Sequence, residues 1–254
     1  MLLEDGHEPI CTQARRQRRR APSRIDRDGR RCALSPAMNA EASPTQSLPF
    51  GDPTPLGLLG LAIGCGALLP IAFGVLPAEP ARAATMFATA AWFCLLFGAG
   101  GQLLAGLMSL ANKNTLGGTL FTTFAFNWVM NWWALSEAAQ GRAIDPTVIL
   151  CVDVTFLLIF LVLTYAFGFY SGLLALFLVD IDLLYLLRLG RHFTAPASGA
   201  FHALSIAVGV ATLLLMLIAL YLAFALLLNP AAGRTILPIG GPLFRATPAP
   251  GTDA

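Results

Sequence analysis

Three aspartates stand inside otherwise apolar runs of this 254-residue chain, Asp153 in one run and Asp180 and Asp182 in the next. An acid is costly in hydrocarbon, so such a residue faces a partner or a water-filled path and is the first place to look for function. An ionised carboxylate beside an anion path repels the anion, whereas a desolvated carboxyl can hold a proton and pass it on. Residues two apart on a helix point roughly 200° apart, so Asp180 and Asp182 cannot both face one path. Proton coupling through at least one of the three is one expectation. Structural pairing, for example with Arg188, or a changed substrate, is the other.

Two further groups of residues suit a small anion. In Asp52-Pro53-Thr54-Pro55-Leu56-Gly57-Leu58 a proline-punctuated turn opens a long apolar run. A helix start offers unpaired N–H groups and about half a positive charge, so the amides after Pro55 could receive a carboxylate. An ordinary helix start, with Asp52 as N-cap and proline in the first turn, is equally compatible. Further on, Thr115, Thr119, Thr122, Thr123, Asn127 and Asn131 give one run a polar component, and Gln102 adds another to the run before it. Thr119, Thr123 and Asn127 are four apart and can line one helix face, either along a path or as interhelical hydrogen-bonding groups.

Other chemistries lack their residues. Cys65, Cys94 and Cys151 lie inside apolar runs and Cys11 and Cys32 in a tail, without a CxxC or metal-like spacing, and the three histidines are scattered. His202 reads as an interfacial or packed side chain. There is no Walker A, no GxGxxG after a strand and no nucleophile elbow. The expectation is a channel or secondary transporter, not an enzyme, with no metal and no cofactor.

The elements that carry these residues follow from composition. Of all residues 56% are hydrophobic and 12% charged, which places the chain among integral membrane proteins. A spanning helix needs roughly 20 apolar residues. Six such spans are expected, near 56–76, 83–110, 116–135, 146–165, 168–189 and 198–228, with a very tight link at 168–172. The fold class is therefore an all-α membrane protein, a bundle of six transmembrane helices. Gly57, Gly60 and Gly64 form a ridge in the first span, as expected for close helix packing.

The first fifty residues differ, with nine arginines between Arg15 and Arg31 and almost no apolar periodicity. They are expected to be a disordered basic tail, or sequence upstream of a start at Met38, in preference to a patch that binds anionic lipid headgroups or nucleic acid, and no secretory signal is visible. The transport domain is expected over 51–241 and a second disordered tail over 242–254. Six spans put both termini on one side. If that side is cytoplasmic, the interior receives the arginine-rich tail, Lys113, Arg234 and Arg245, and the exterior Arg82, Arg142, Arg188 and Arg191. A start at Met38 leaves the two sides balanced.

The 52–58 segment DPTPLGL resembles the N-P-A-P-L-G-L signature of the acetate uptake transporter family, the bacterial succinate-acetate permeases. FGAGGQLLAG at 97–106 resembles the family's second helix, and Asn114-Thr115-Leu116-Gly117 with Thr119, Phe121 and Trp128 its third-helix start. Gly233-Arg234-Thr235-Ile236-Leu237-Pro238-Ile239-Gly240 resembles its G-R-T-x-L-P-x-G tail. The resemblance implies a protomer of a homo-hexamer in the inner membrane, each protomer with its own pore. Its substrates would be acetate and, in some members, succinate, moved by a proton-coupled or channel-like route. It also implies a hydrophobic constriction at Leu61, Phe124 and Ile181, more apolar than usual because Leu61 replaces an aromatic and Phe124 a tyrosine. Asp52 stands where asparagine is usual. A passive pore or exporter for another small solute, such as ammonia, is the alternative on the same scaffold.

Overall fold

Proline, asparagine and serine set where each apolar run turns into helix. The computed structural model describes residues 50–245. The expectations for the arginine cluster, for Met38 and for the chain after 245 lie outside the described residues.

All regular structure among the described residues is helical, in six rods. These are α1 (Thr54–Ala72), α2 (Pro80–Ala111), α3 (Thr115–Ala139), α4 (Pro146–Phe167), α5 (Gly172–His192) and α6 (Gly199–Ala232). Pro80 and Pro146 open α2 and α4, where a missing N–H costs nothing. Asn114 caps α3 by accepting from the Gly117 amide at 2.9 Å, Asp145 caps α4 through Val148 at 2.9 Å, and Ser198 caps α6 through Phe201 at 3.1 Å. The α1 helix ends earlier than the apolar pattern predicts, because the chain turns at Gly74 with a φ of +71° that suits glycine. The α6 helix runs through Asn229-Pro230 to Ala232 and closes at left-handed Gly233.

Four rods, α1, α2, α4 and α6, are long and apolar enough to cross a membrane. The other two are long but carry the polar residues: threonines and asparagines in α3, and Asp180, Asp182, Arg188 and Arg191 in α5. Short links make successive rods antiparallel. The α1 rod packs on α6 and α2, α2 on α3, and α5 on both α4 and α6. The chain is a multi-pass membrane protein.

Close crossings are built from glycine. A Cβ on Gly60 would stand 2.5 Å from the Phe97 carbonyl oxygen, and one on Gly101 would stand 3.2 Å from the Gly60 Cα. No side chain fits between α1 and α2 there, as small-residue packing in membranes requires. At this crossing α2 widens into a π-turn over Cys94–Ala99. The same stretch sets Gly98 directly against the Trp128 indole, which also fills the space beside Gly64.

After α6 the chain folds back as a strap. Asn229 accepts from the Ile236 and Leu237 amides at 2.7 and 3.0 Å and donates to the Leu237 carbonyl at 2.8 Å. The Ser171 hydroxyl donates to Ile239, the Gly172 amide to Gly241, and the Leu243 amide to Gly168. The tight link between α4 and α5 is thus clamped by the residues that resemble the G-R-T-x-L-P-x-G tail. The clamp continues past Gly241, with the Phe244 ring over Gly168.

Candidate functional site

Antiparallel rods give the bundle two ends. Asp52, Asn114, the α4–α5 link and the strap gather at one, here the terminal end. The links α1–α2, α3–α4 and α5–α6 gather at the other, the distal end. A cavity of roughly 570 Å³ occupies the distal half. Arg188, Arg191 and His202 belong to its wall, with Asn127 and Asn131 from α3, and no Asp or Glu is among its lining residues. The volume and mixed lining suit a small polar ligand.

Its wall also includes Phe124 and Ile181, while Leu61 lies just outside the lining. All three are buried in one apolar cluster, at 5%, 1% and 0% exposure. Around Phe124 the aromatic rings lock together. Its ring meets Trp128 edge-on at 6.3 Å and Phe160 of α4 at 5.1 Å, and Phe160 stacks on Tyr185 of α5 at 5.6 Å. Such offset and edge contacts hold rings in fixed positions. The Trp128 Nε1 and the Tyr185 hydroxyl, both buried in the cavity wall, have no hydrogen-bond partner among the described residues.

Charge is arranged unevenly at the distal end. Asp153 forms an ion pair with Arg188 at 2.8 Å and has the His192 Nε2 at 3.5 Å. Arg188 also lies 5.4 Å from the Tyr185 ring centroid. Arg191 lies 4.8 Å from the Phe201 ring centroid, with no carboxylate in ion-pair range among the described residues. The cavity wall therefore carries a surplus positive charge.

The three membrane aspartates are not brought together. Asp153 sits in the distal ion pair. Asp182 faces α4 and accepts from the Thr164 hydroxyl at 2.6 Å. Asp180, buried on the other side of α5, has an oxygen with no partner and lies in electrostatic reach of Cys65. Neither Asp180 nor Asp182 lines the cavity.

The 52–58 segment lies at the terminal end, away from the cavity. The Asp52 carboxylate accepts from the Thr54 amide at 3.0 Å and the Thr54 hydroxyl at 2.6 Å, while the Gly57 amide donates to Pro53. Pro53, Pro55 and Gly57 are buried, Leu56 is exposed, and the Phe121 ring fills the space beside Gly57. Asn114 is spent on its cap. Thr115 and Thr119 are exposed, Thr123 is half-buried, and of this polar face only Asn127 and Asn131 reach the cavity. Gln102 is buried with its carbonyl oxygen unpartnered. Sequence reasoning passed over Phe160, Tyr185 and Arg191 as site residues. The spacing of Ile181, Tyr185 and Arg188 at i, i+4 and i+7 was the available signal.

No protein-family model matches the chain. The bacterial acetate channel SatP superimposes with a TM-score of 0.64, covering 75% of this chain and 99% of that one at 23% identity. This is the acetate-channel fold. The resemblance carried by the sequence motifs and the three-dimensional likeness thus agree. A glyoxylate pathway regulator of Yarrowia lipolytica is 29% identical over 121 residues, 48% of this chain. The chain spans 42% of that relative's length. On the acetate-channel fold, the distal vestibule and the apolar layer below it are the features that chemistry can use.

Proposed function

We propose that this protein conducts small carboxylates, acetate foremost and succinate as a larger candidate, across the inner membrane. One observation carries the reading: in an acetate-channel fold, a vestibule with surplus positive charge and no acid in its wall ends at a buried apolar layer. An anion is drawn to the first part and must shed water to pass the second. All six rods cross the bilayer in this reading, with both termini cytoplasmic, and the protomers assemble as hexamers. Leu61, Phe124 and Ile181 form the constriction, and the terminal-end residues Asp52, Asn114 and Thr115 border the opposite exit.

Proton coupling is assigned to Asp180. Asp153 is neutralised by Arg188 and Asp182 is held by Thr164, whereas among the described residues Asp180 has neither a cation nor a hydroxyl on it. The buried carboxyl held by neither is the one of the three free to exchange a proton. In proteoliposomes, an imposed proton gradient should accelerate acetate uptake by the wild type, and Asp180→Asn should remove the acceleration. Acceleration retained in that variant would end the assignment. Flux that ignores the gradient and is not competed by acetate would instead favour a passive pore for a neutral solute.

A further inference from the structure

Buried donors without partners are rare in native proteins, and each one asks for a ligand or an ordered water. The distal cavity wall holds two of them, the indole N–H of Trp128 and the hydroxyl of Tyr185, in side chains only 3% and 1% exposed. They sit beside the apolar layer, linked to it through the rings of Phe124 and Phe160. Polar atoms placed there serve no packing purpose, since phenylalanine would fill the Tyr185 position as well.

A third donor group lines the same cavity. Two arginines, Arg188 and Arg191, stand in its wall, and their situations differ. Arg188 is answered by Asp153, so that pair adds no net charge. Among the described residues Arg191 pairs with no carboxylate; it lies over the face of Phe201 and beside Arg188, and its Nε has no hydrogen-bond partner there. A guanidinium stacked on a ring keeps its in-plane N–H groups available, in the fork that matches a carboxylate. Position in the last turn of α5 also lets Arg191 complement the helix dipole, but that role needs only a charge.

We propose that Arg191, Tyr185 and Trp128 form a carboxylate-receiving site in the distal vestibule, at the opposite end of the bundle from the DPTPLGL helix start. Arg191 draws the anion in. The Tyr185 O–H and the Trp128 N–H then replace water on its oxygens as it approaches the apolar layer. The site offers donors and no acceptor carboxylate, which selects an anion over a cation. Its ligand class rests on the carboxylate reading above.

The test uses the full chain in proteoliposomes and, separately, in detergent. Tyr185→Phe deletes one oxygen that makes no hydrogen bond among the described residues, so the ring stack and the thermal midpoint should stay as they are. The acetate concentration for half-maximal uptake should nevertheless rise about fivefold in Tyr185→Phe and about tenfold in Arg191→Gln. Arg191→Lys, which keeps the charge and loses the fork, should fall between wild type and Arg191→Gln. Flux of acetamide, neutral and of similar size, should be unchanged in all three. Acetate binding is read independently by saturation-transfer NMR on the purified protein. Unchanged half-saturation and binding in both Tyr185→Phe and Arg191→Gln would overturn the site while leaving acetate conduction standing. Wild-type binding that falls in both variants, without any wild-type flux, would uphold the site and overturn conduction. A wild type that neither binds nor conducts acetate would overturn both.

Discussion

Asp153, Asp180 and Asp182 show how little a residue type says until its neighbours are known. Asp153 is 1% exposed and holds Arg188, so Asp153→Ala leaves a largely buried guanidinium without a counter-charge. That change should lower stability by about 3 kcal/mol, read from thermal unfolding in detergent. Asp182→Asn alters one hydroxyl contact and should cost about 1 kcal/mol. An Asp182 loss as large as that of Asp153 would mean that the two sites are coupled. Structural pairing with Arg188 was legible in the sequence as one option for these acids. Their separation on different faces was legible too, from the helical repeat. The roles of Trp128 and Tyr185 were not, because an aromatic residue in an apolar run reads as packing, and only the cavity wall reveals their unused polar atoms. At Leu61, which is fully buried in the apolar layer, truncation to alanine should raise acetate flux if the proposed constriction lies there. Flux lower than wild type in a stably folded variant would place the constriction elsewhere.

At the level of elements, four rods have a uniformly apolar sequence suited to lipid, and the two polar rods supply much of the site. That division explains why α3 and α5 fall short of a spanning composition although both are longer than α1. Six rods and the tight α4–α5 link could be read from hydropathy and from the prolines and glycines between runs. The strap after α6 could not, because its bonds join Asn229 to Ile236 and Leu237, and Ser171 to Ile239, across gaps that no periodicity records. The α1–α2 crossing gives a sharp packing test. Gly60→Ala drives a methyl into the Phe97 carbonyl and should cost about 1–3 kcal/mol, while Gly199→Ala, with open space around it, should be neutral. Equal thermal midpoints would show that the crossing can relax. In the last turn of α3, Glu137 is bound by the exposed Arg142 of the α3–α4 link, which holds its carboxyl below the usual range. Because the folded pKa is depressed, this contribution is present above the unfolded value of 4.5 and is lost as pH falls through the lower, folded value. The effect is small in so exposed a pair. Arg142→Gln should flatten only the acid limb of a stability–pH curve, and a change near neutrality would contradict the assignment.

For the whole molecule, the decisive asymmetry lies between the two ends. Motif resemblance directs attention to the terminal end, where Asp52 and Asn114 are engaged in holding helix starts. The surplus charge and the cavity lie at the distal end, where the resemblance marks only apolar and aromatic positions, Phe124, Trp128 and Ile181. Both ends belong to a fold shared with an acetate channel, and a buried apolar layer borders the cavity whose wall carries the surplus positive charge. The most direct test is uptake of labelled acetate by proteoliposomes holding the full chain, with and without an imposed proton gradient. Saturable uptake above that of empty liposomes, competed by other small carboxylates but not by acetamide, and faster with the gradient, is the predicted result. Acetate entry no faster than into empty liposomes, in a preparation that is correctly folded, would contradict the assignment of carboxylate conduction.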